Sequence, residues 1–136
     1  VRTKGHNFER LVARMFQSLG YNAKTSRATS KFMDDCGVDI VGTPYIIQCK
    51  AGYARSRPKF EEEYRYTKTR LQDGIGVNHP INQLPIVVIH QLDVAKGRGK
   101  TRNPEDTYVM LTLEDFMKIT SIAFPDQAQT QTLDIL

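Results

Sequence analysis

The chain has 136 residues, 40% of them hydrophobic, which is enough apolar content for one domain with one core. Its net charge of +4 and pI near 9.1 favour a polyanionic partner. No segment approaches the ~20 apolar residues of a membrane span, and the charged start does not read as a cleavable signal peptide, so the expected location is the cytoplasm, or the host cytoplasm if a phage encodes the chain.

The first element is an amphipathic helix. Phe8, Leu11, Val12, Met15, Phe16 and Leu19 recur at helical spacing, Gly20 ends the run, and Asn7 or Thr3 offers a cap at its start. Glu9 lies beside the apolar stripe, where its carboxylate either points at the rest of the core or stays solvated in a first turn that the helix dipole favours. An extended segment over Tyr21 to Thr29 follows, then Ser30 and Lys31, and then Asp34 and Asp35 as turn residues before Cys36 and Gly37.

The stretch Gly37 to Lys50, GVDIVGTPYIIQCK, reads as a hairpin. With Gly42 to Tyr45 as a four-residue loop, Val41 lies opposite Ile46 and Asp39 opposite Gln48. Side chains alternate along a strand, so Gln48 and Lys50 project together and Cys49 turns the other way, into the core. An acid, an amide oxygen and an ammonium group on one face suit a hard divalent cation and a phosphate. The competing reading is a buried hairpin whose polar residues cap the sheet. Neither Cys36 nor Cys49 belongs to a C-x-x-C pair, so both are expected as reduced thiols without disulfide or zinc.

Beyond the hairpin, Arg55, Arg57 and Lys59 form a basic stretch, and Phe60 to Gln72 reads as a helix with Tyr64, Thr67, Lys68 and Leu71 at helical spacing. Glu61, Glu62 and Glu63 fall in its first turn, where the helix dipole accounts for them without any metal. Asp73 to Pro80 is a connector, and Leu84 to His90 is an apolar run that fits a strand buried on both faces. Lys96, Arg98, Lys100 and Arg102 alternate with other residues in a glycine-containing loop that could close on phosphates. Thr107 to Leu111 is a further strand, and Thr112 begins a capping signal for a helix carrying Phe116, Ile119 and Thr120. From Pro125 onward, Gln and Thr repeats suggest a loose tail whose Leu133, Ile135 and Leu136 could dock on a partner subunit. Residues 1–124 are thus expected as one domain and 125–136 as a tail. His79 and His90 read as structural, and Tyr53, Tyr64 and Tyr66 as packing residues or base-stacking surfaces. Strands flanked by helices imply an α/β domain with a central mixed sheet.

The order of these motifs resembles the PD-(D/E)xK nuclease superfamily, most closely the archaeal-type and phage Holliday junction resolvases. The resemblance runs from Lys4 to Lys50: KGxxxER at the helix start, the Gly20-Tyr21 step, Arg27 and Ser30, the GVD strand and the IIQCK strand. Gln48 stands where these proteins usually carry Glu, a variant seen in restriction enzymes of the Mrr type, and Ser30 is followed by Lys31 where the resolvases tend to have Gly. The resemblance implies a restriction-endonuclease-like core and a metal-dependent endonuclease. Glu9, Asp39, Gln48 and Lys50 would be its catalytic residues. Glu9, Asp39, Gln48 and the Cys49 carbonyl would hold Mg²⁺ or Mn²⁺, and in-line hydrolysis would leave 5′-phosphate and 3′-hydroxyl ends.

A four-way DNA junction is the substrate this likeness suggests, with Arg2, Lys4, Arg27, Ser30, Lys31, Arg55, Arg57, Lys96, Arg98, Lys100 and Arg102 expected on the DNA. Cutting two strands symmetrically from one small domain calls for a twofold homodimer. Alternatives are a restriction or repair endonuclease of the same fold, a catalytically silent DNA-binding module, and an RNA endonuclease.

Overall fold

The computed structural model describes residues 2–51, 59–91 and 107–125, with side chains in the first helix described from Gly5 onward. Helix α1, Arg2–Ser18, buries Phe8, Val12 and Ala13, while Met15 and Leu19, expected on the same stripe, are exposed. It is already helical at Arg2, so neither Thr3 nor Asn7 caps it; Asn7 Oδ1 instead accepts from Arg10 at 2.9 Å. Its end is the one the sequence indicates. Gly20 sits at φ +99°, with its N–H on Gln17 O at 2.9 Å and the Tyr21 N–H on Phe16 O at 3.2 Å. This paired closure satisfies carbonyls that the helix leaves open, and it needs the left-handed conformation that glycine adopts without penalty.

The expected extended segment shrinks to strand β1, Lys24–Thr25, and is followed by two short helices, α2, Ser26–Thr29, and α3, Lys31–Asp35. Ser26 causes the turn. Fully buried, it donates from Oγ to Val38 O at 2.5 Å and from its N–H to Asp39 O at 2.9 Å, which ends sheet pairing at that residue. Ser30 Oγ then accepts from Met33 N and caps α3, so Asp34 and Asp35 are helical rather than turn residues.

Strands β2, Ile40–Val41, and β3, Ile46–Ala51, form the hairpin in the expected register, Ile40 opposite Ile47. Gly42 makes the turn at φ +87°, with Asn22 O so close that a Cβ there would lie 2.1 Å from it. Helix α4, Phe60–Ile75, runs one turn beyond its expected end, and a 3₁₀ turn over Pro80–Gln83 leads into strand β4, Ile86–Gln91, all of whose residues are buried. Strand β5, Thr107–Met110, and helix α5, Leu113–Ala123, complete the described chain. Thr112 caps α5 by accepting from Asp115 N, and Asp115 Oδ2 accepts from Ile86 N at 3.1 Å, tying the helix start to the start of β4. Phe116 of that helix is exposed along with Leu113, Met117 and Ile122.

Among the described residues the sheet has five strands in the order β1-β2-β3-β4-β5, antiparallel except for the β3–β4 pair. Alternation along β3 and β4 sends residues to two cores. Ile40, Ile47, Val87 and Ile89 pack with Phe8 and Val12 of α1, whereas Ile46 and Ile86 pack with Val38, Cys36 and Leu71 of α4. The protein is therefore an α/β domain with a mixed sheet flanked by helices. Among the described residues no helix is long and apolar enough to cross a membrane.

Candidate active site

Strand β3 delivers side chains to both helical layers, and the residues singled out in the sequence lie around its second half. On the α4 side, Gln48 is fully buried. Its Nε2 donates to Glu63 O at 2.6 Å and to Thr67 Oγ1, and Thr67 Oγ1 donates onward to Cys36 O at 2.9 Å. Two residues along the strand, Lys50 places its Nζ 3.1 Å from Glu63 Oε2, with both side chains about a quarter exposed. The ammonium group is thus at the margin of the sheet and not in the apolar interior.

On the α1 side, Glu9 is 7% exposed and Arg27 reaches it from α2, one guanidinium nitrogen lying 2.9 and 3.0 Å from the two carboxylate oxygens. Asp39 enters from just before β2. Its N–H donates to Ile47 O at 2.7 Å although Ile40 is the ladder partner of Ile47, so two residues face one, the count of a β-bulge. The displaced carboxylate accepts from Cys49 N at 2.7 Å. Asp39 is expected to meet Gln48 directly across the ladder. Instead the acid is committed to the Cys49 amide and the glutamine to α4, because the bulge redirects one and the helix captures the other. Cys49 itself packs against the α1 core, and both cysteines are free.

The electrostatics bind these groups into one neighbourhood. Burial is the main reason why the Asp39 carboxyl is pushed up to about 7, and the nearby negative charge of Glu9 adds to it; the Cys49 N–H and Lys50 pull the other way. Asp34 contributes a smaller repulsion, so the acid expected in the loop does act on Asp39, at a distance. Asp35 is occupied with Lys31 at 3.2 Å.

The possible donors for a metal are all oxygens. Among the described residues no three His, Cys, Asp or Glu side chains gather closely enough to hold an ion, so a site would rest on Glu9, Asp39 and neutral oxygens. One such oxygen is conspicuous: Gln48 Oε1 is buried without a hydrogen-bond partner. The Asp39 carboxylate, whose ionisation burial opposes, suits a hard divalent cation, which would favour its ionised form, and the open Gln48 acceptor on the α4 side is a further neutral oxygen of the kind such cations take.

The residues expected to touch DNA are scattered. Arg27 is engaged with Glu9 yet remains 42% exposed in its side chain, Ser30 caps α3, and Lys31 is exposed on α3 in its pair with Asp35. Arg55, Arg57, Lys96, Arg98, Lys100 and Arg102 lie outside the described residues, as do Tyr53 and the tail from 126, and the Arg2 and Lys4 side chains are not described either. His79 caps the 3₁₀ turn by accepting from Ile81 N, and His90 is buried in β4. Tyr66 is half exposed, its ring covered on one side by the Arg70 guanidinium at 4.1 Å.

The residue that sequence reasoning missed is Glu63. As the last of three glutamates in a first helical turn, it was accounted for by the helix dipole. The available signal was its spacing: Glu63, Thr67 and Leu71 are four apart, and the latter two are fully buried, so Glu63 shares the face of α4 that meets the sheet.

A family model described as a restriction endonuclease (Mrr_cat) matches residues 1–63, a stretch that contains Glu9, Asp39, Gln48, Lys50 and Glu63. The match supports a nuclease, and the five-stranded mixed sheet flanked by helices is consistent with a restriction-endonuclease-like fold. No curated protein and no solved structure matches the chain.

Proposed function

We propose that the protein is a metal-dependent endonuclease that hydrolyses DNA phosphodiester bonds. The observation that carries the reading is that two carboxylates from separate elements, buried Glu9 held by Arg27 and Asp39 held by the Cys49 N–H, accompany Lys50 at the margin of the adjoining strand. Glu9, Asp39, Gln48 Oε1 and the Cys49 carbonyl are the groups that would hold Mg²⁺ or Mn²⁺. When bound, the cation supplies Lewis-acid polarisation of the phosphate and favours an attacking water. Asp39 supplies negative charge from a position fixed by the Cys49 N–H, so little reorganisation is needed. Lys50 offers its ammonium group to charge building on the phosphate oxygens. Arg27, which is partly exposed, would leave Glu9 to meet the DNA backbone.

For the substrate, a four-way junction cut by a homodimer follows from the resemblance of the first fifty residues to the junction resolvases. A second reading, cleavage of linear duplex DNA, is favoured by Gln48 and by the restriction endonuclease match. Incubating the protein with a synthetic junction and with a linear duplex of the same sequence, in Mg²⁺, Mn²⁺ or chelator, separates them. Preferential, paired nicking of the junction supports the resolvase, and equal cutting of both overturns it. Cleavage that persists in chelator would overturn the metal dependence itself.

A further inference from the structure

We propose that Glu63 positions Lys50 for the reaction and that Gln48 holds Glu63 in place to do so, an inference that rests on the endonuclease reading above. Helix α4 opens with three glutamates, and their partners differ. Glu61 lies 3.7 Å from Arg65 and Glu62 lies 4.0 Å from Lys59, all on or beside the exposed face of the same helix. Glu63 turns inward, crossing to β3, where its carboxylate meets Lys50 at 3.1 Å.

The backbone of the same residue is tied to the same strand. Gln48 Nε2 has two hydrogens, and both go to one turn of α4, to the Glu63 carbonyl at 2.6 Å and to the Thr67 hydroxyl. Thr67 is four residues on from Glu63, so these two acceptors fix both the rotation of the helix and its height over the strand. Gln48 and Lys50 are two apart and leave β3 on one face. Whatever sets the 63–67 turn over Gln48 therefore also sets the Glu63 carboxylate over Lys50. The lysine side chain has a long flexible stem, and an ion pair at the sheet margin removes much of its freedom before a phosphate arrives.

This arrangement gives a chemical reason for glutamine at position 48. A carboxylate there has no hydrogen to donate and would set an oxygen against the Glu63 carbonyl, repelling the turn that carries the lysine's partner. In this protein Gln48 has a task that the more usual Glu cannot perform, in addition to whatever its open Oε1 does.

The test uses the full chain and the variants E63Q, E63D and Q48E. Reactivity of each lysine amine is read by limiting acylation and peptide mass spectrometry without DNA, alongside affinity for duplex and junction DNA in Ca²⁺ and single-turnover cleavage in Mg²⁺. In E63Q, acylation of Lys50 should rise about threefold or more relative to exposed Lys24 and Lys31 as the pair is lost. Cleavage should fall about 10- to 100-fold with DNA affinity unchanged, as expected for a misplaced catalytic group. E63D should recover part of the rate, and Q48E should show the same rise in Lys50 reactivity, not an improved enzyme. Unchanged Lys50 reactivity in E63Q overturns the proposal, as does a rate loss matched by a loss of DNA affinity. A wild type that cuts no DNA although Lys50 responds to E63Q overturns the endonuclease reading, and the catalytic role with it, while the contact itself stands.

Discussion

The two faces of strand β3 solve the problem of holding polar groups in a buried setting in opposite ways. Toward α4, every hydrogen on the Gln48 amide nitrogen is used, Lys50 is paired with Glu63, and the hydroxyl of Thr67 relays to Cys36. Toward α1, two carboxylates repel one another, Arg27 neutralises only Glu9, and Asp39 is left with a single backbone donor and a raised pKa. One face uses its donors to brace the site, leaving the Gln48 Oε1 acceptor open. The other is under electrostatic tension, which a cation would relieve, and unrelieved tension of this kind is what ligand sites have in common.

Substituting at the tense face should give the largest effect. Asp39→Asn keeps an acceptor for the Cys49 N–H but removes the negative charge, so cleavage should fall about 10³-fold while DNA binding persists. The same variant should stabilise the DNA- and metal-free protein at alkaline pH. Asp39 has a folded-state pKa of about 7 against an ordinary 3.8, so the folded protein holds this proton more tightly than the unfolded chain. That contribution to stability is complete below pH 4 and is lost as pH rises through 7, at a cost on the order of 4 kcal/mol. Urea denaturation of wild type and Asp39→Asn at pH 4, 6 and 8 should show the variant's advantage growing with pH. A constant difference would remove the tension from this face. Because a bound cation prefers the ionised acid, Mg²⁺ should raise the wild-type melting temperature more at pH 8 than at pH 6.

On the bracing face the effect should be smaller and structural. Thr67→Val keeps the side-chain shape but leaves one hydrogen of Gln48 and the Cys36 carbonyl without partners, which should cost about 1–3 kcal/mol by chemical denaturation. If the loss is negligible, this face is not the brace described here.

How much of this contrast was legible in the sequence depends on the range of the interaction. The hairpin register followed from the length of the Gly42–Tyr45 turn, the end of α1 from Gly20, and the cap of α5 from Thr112, because each is decided within a few residues. Alternation along β3 also gave Cys49 one direction and Gln48 and Lys50 the other. The bulge at Asp39 was not legible, since it depends on Ser26 taking the Asp39 carbonyl from thirteen positions away. Helices α2 and α3 were missed for the same reason: the local residues permit an extended chain, and the buried hydroxyl of Ser26 decides otherwise. Glu63 and Arg27 each carry a plausible local explanation, a helix dipole and a DNA contact, and their partners across the fold are visible only in three dimensions.

The smallest expected effect tests whether the tense face is one electrostatic unit. Arg27 and Glu9 form a pair in which the arginine is substantially exposed, so Arg27→Ala should change global stability by no more than about 1 kcal/mol. Its consequence should appear one residue further on. Without the guanidinium, the Glu9 charge acts on Asp39 unopposed, so the Asp39 carboxyl should titrate at still higher pH than in the wild type, by a few tenths of a unit, as followed by ¹³C NMR of the side-chain carboxyl. Arg27→Lys should hold the midpoint closer to the wild-type value, because a cation remains even though the contact with both oxygens is lost. If Asp39 titrates identically in all three proteins, Glu9 and Asp39 are neighbours without being coupled, and the contrast between the two faces of β3 reduces to a difference in burial.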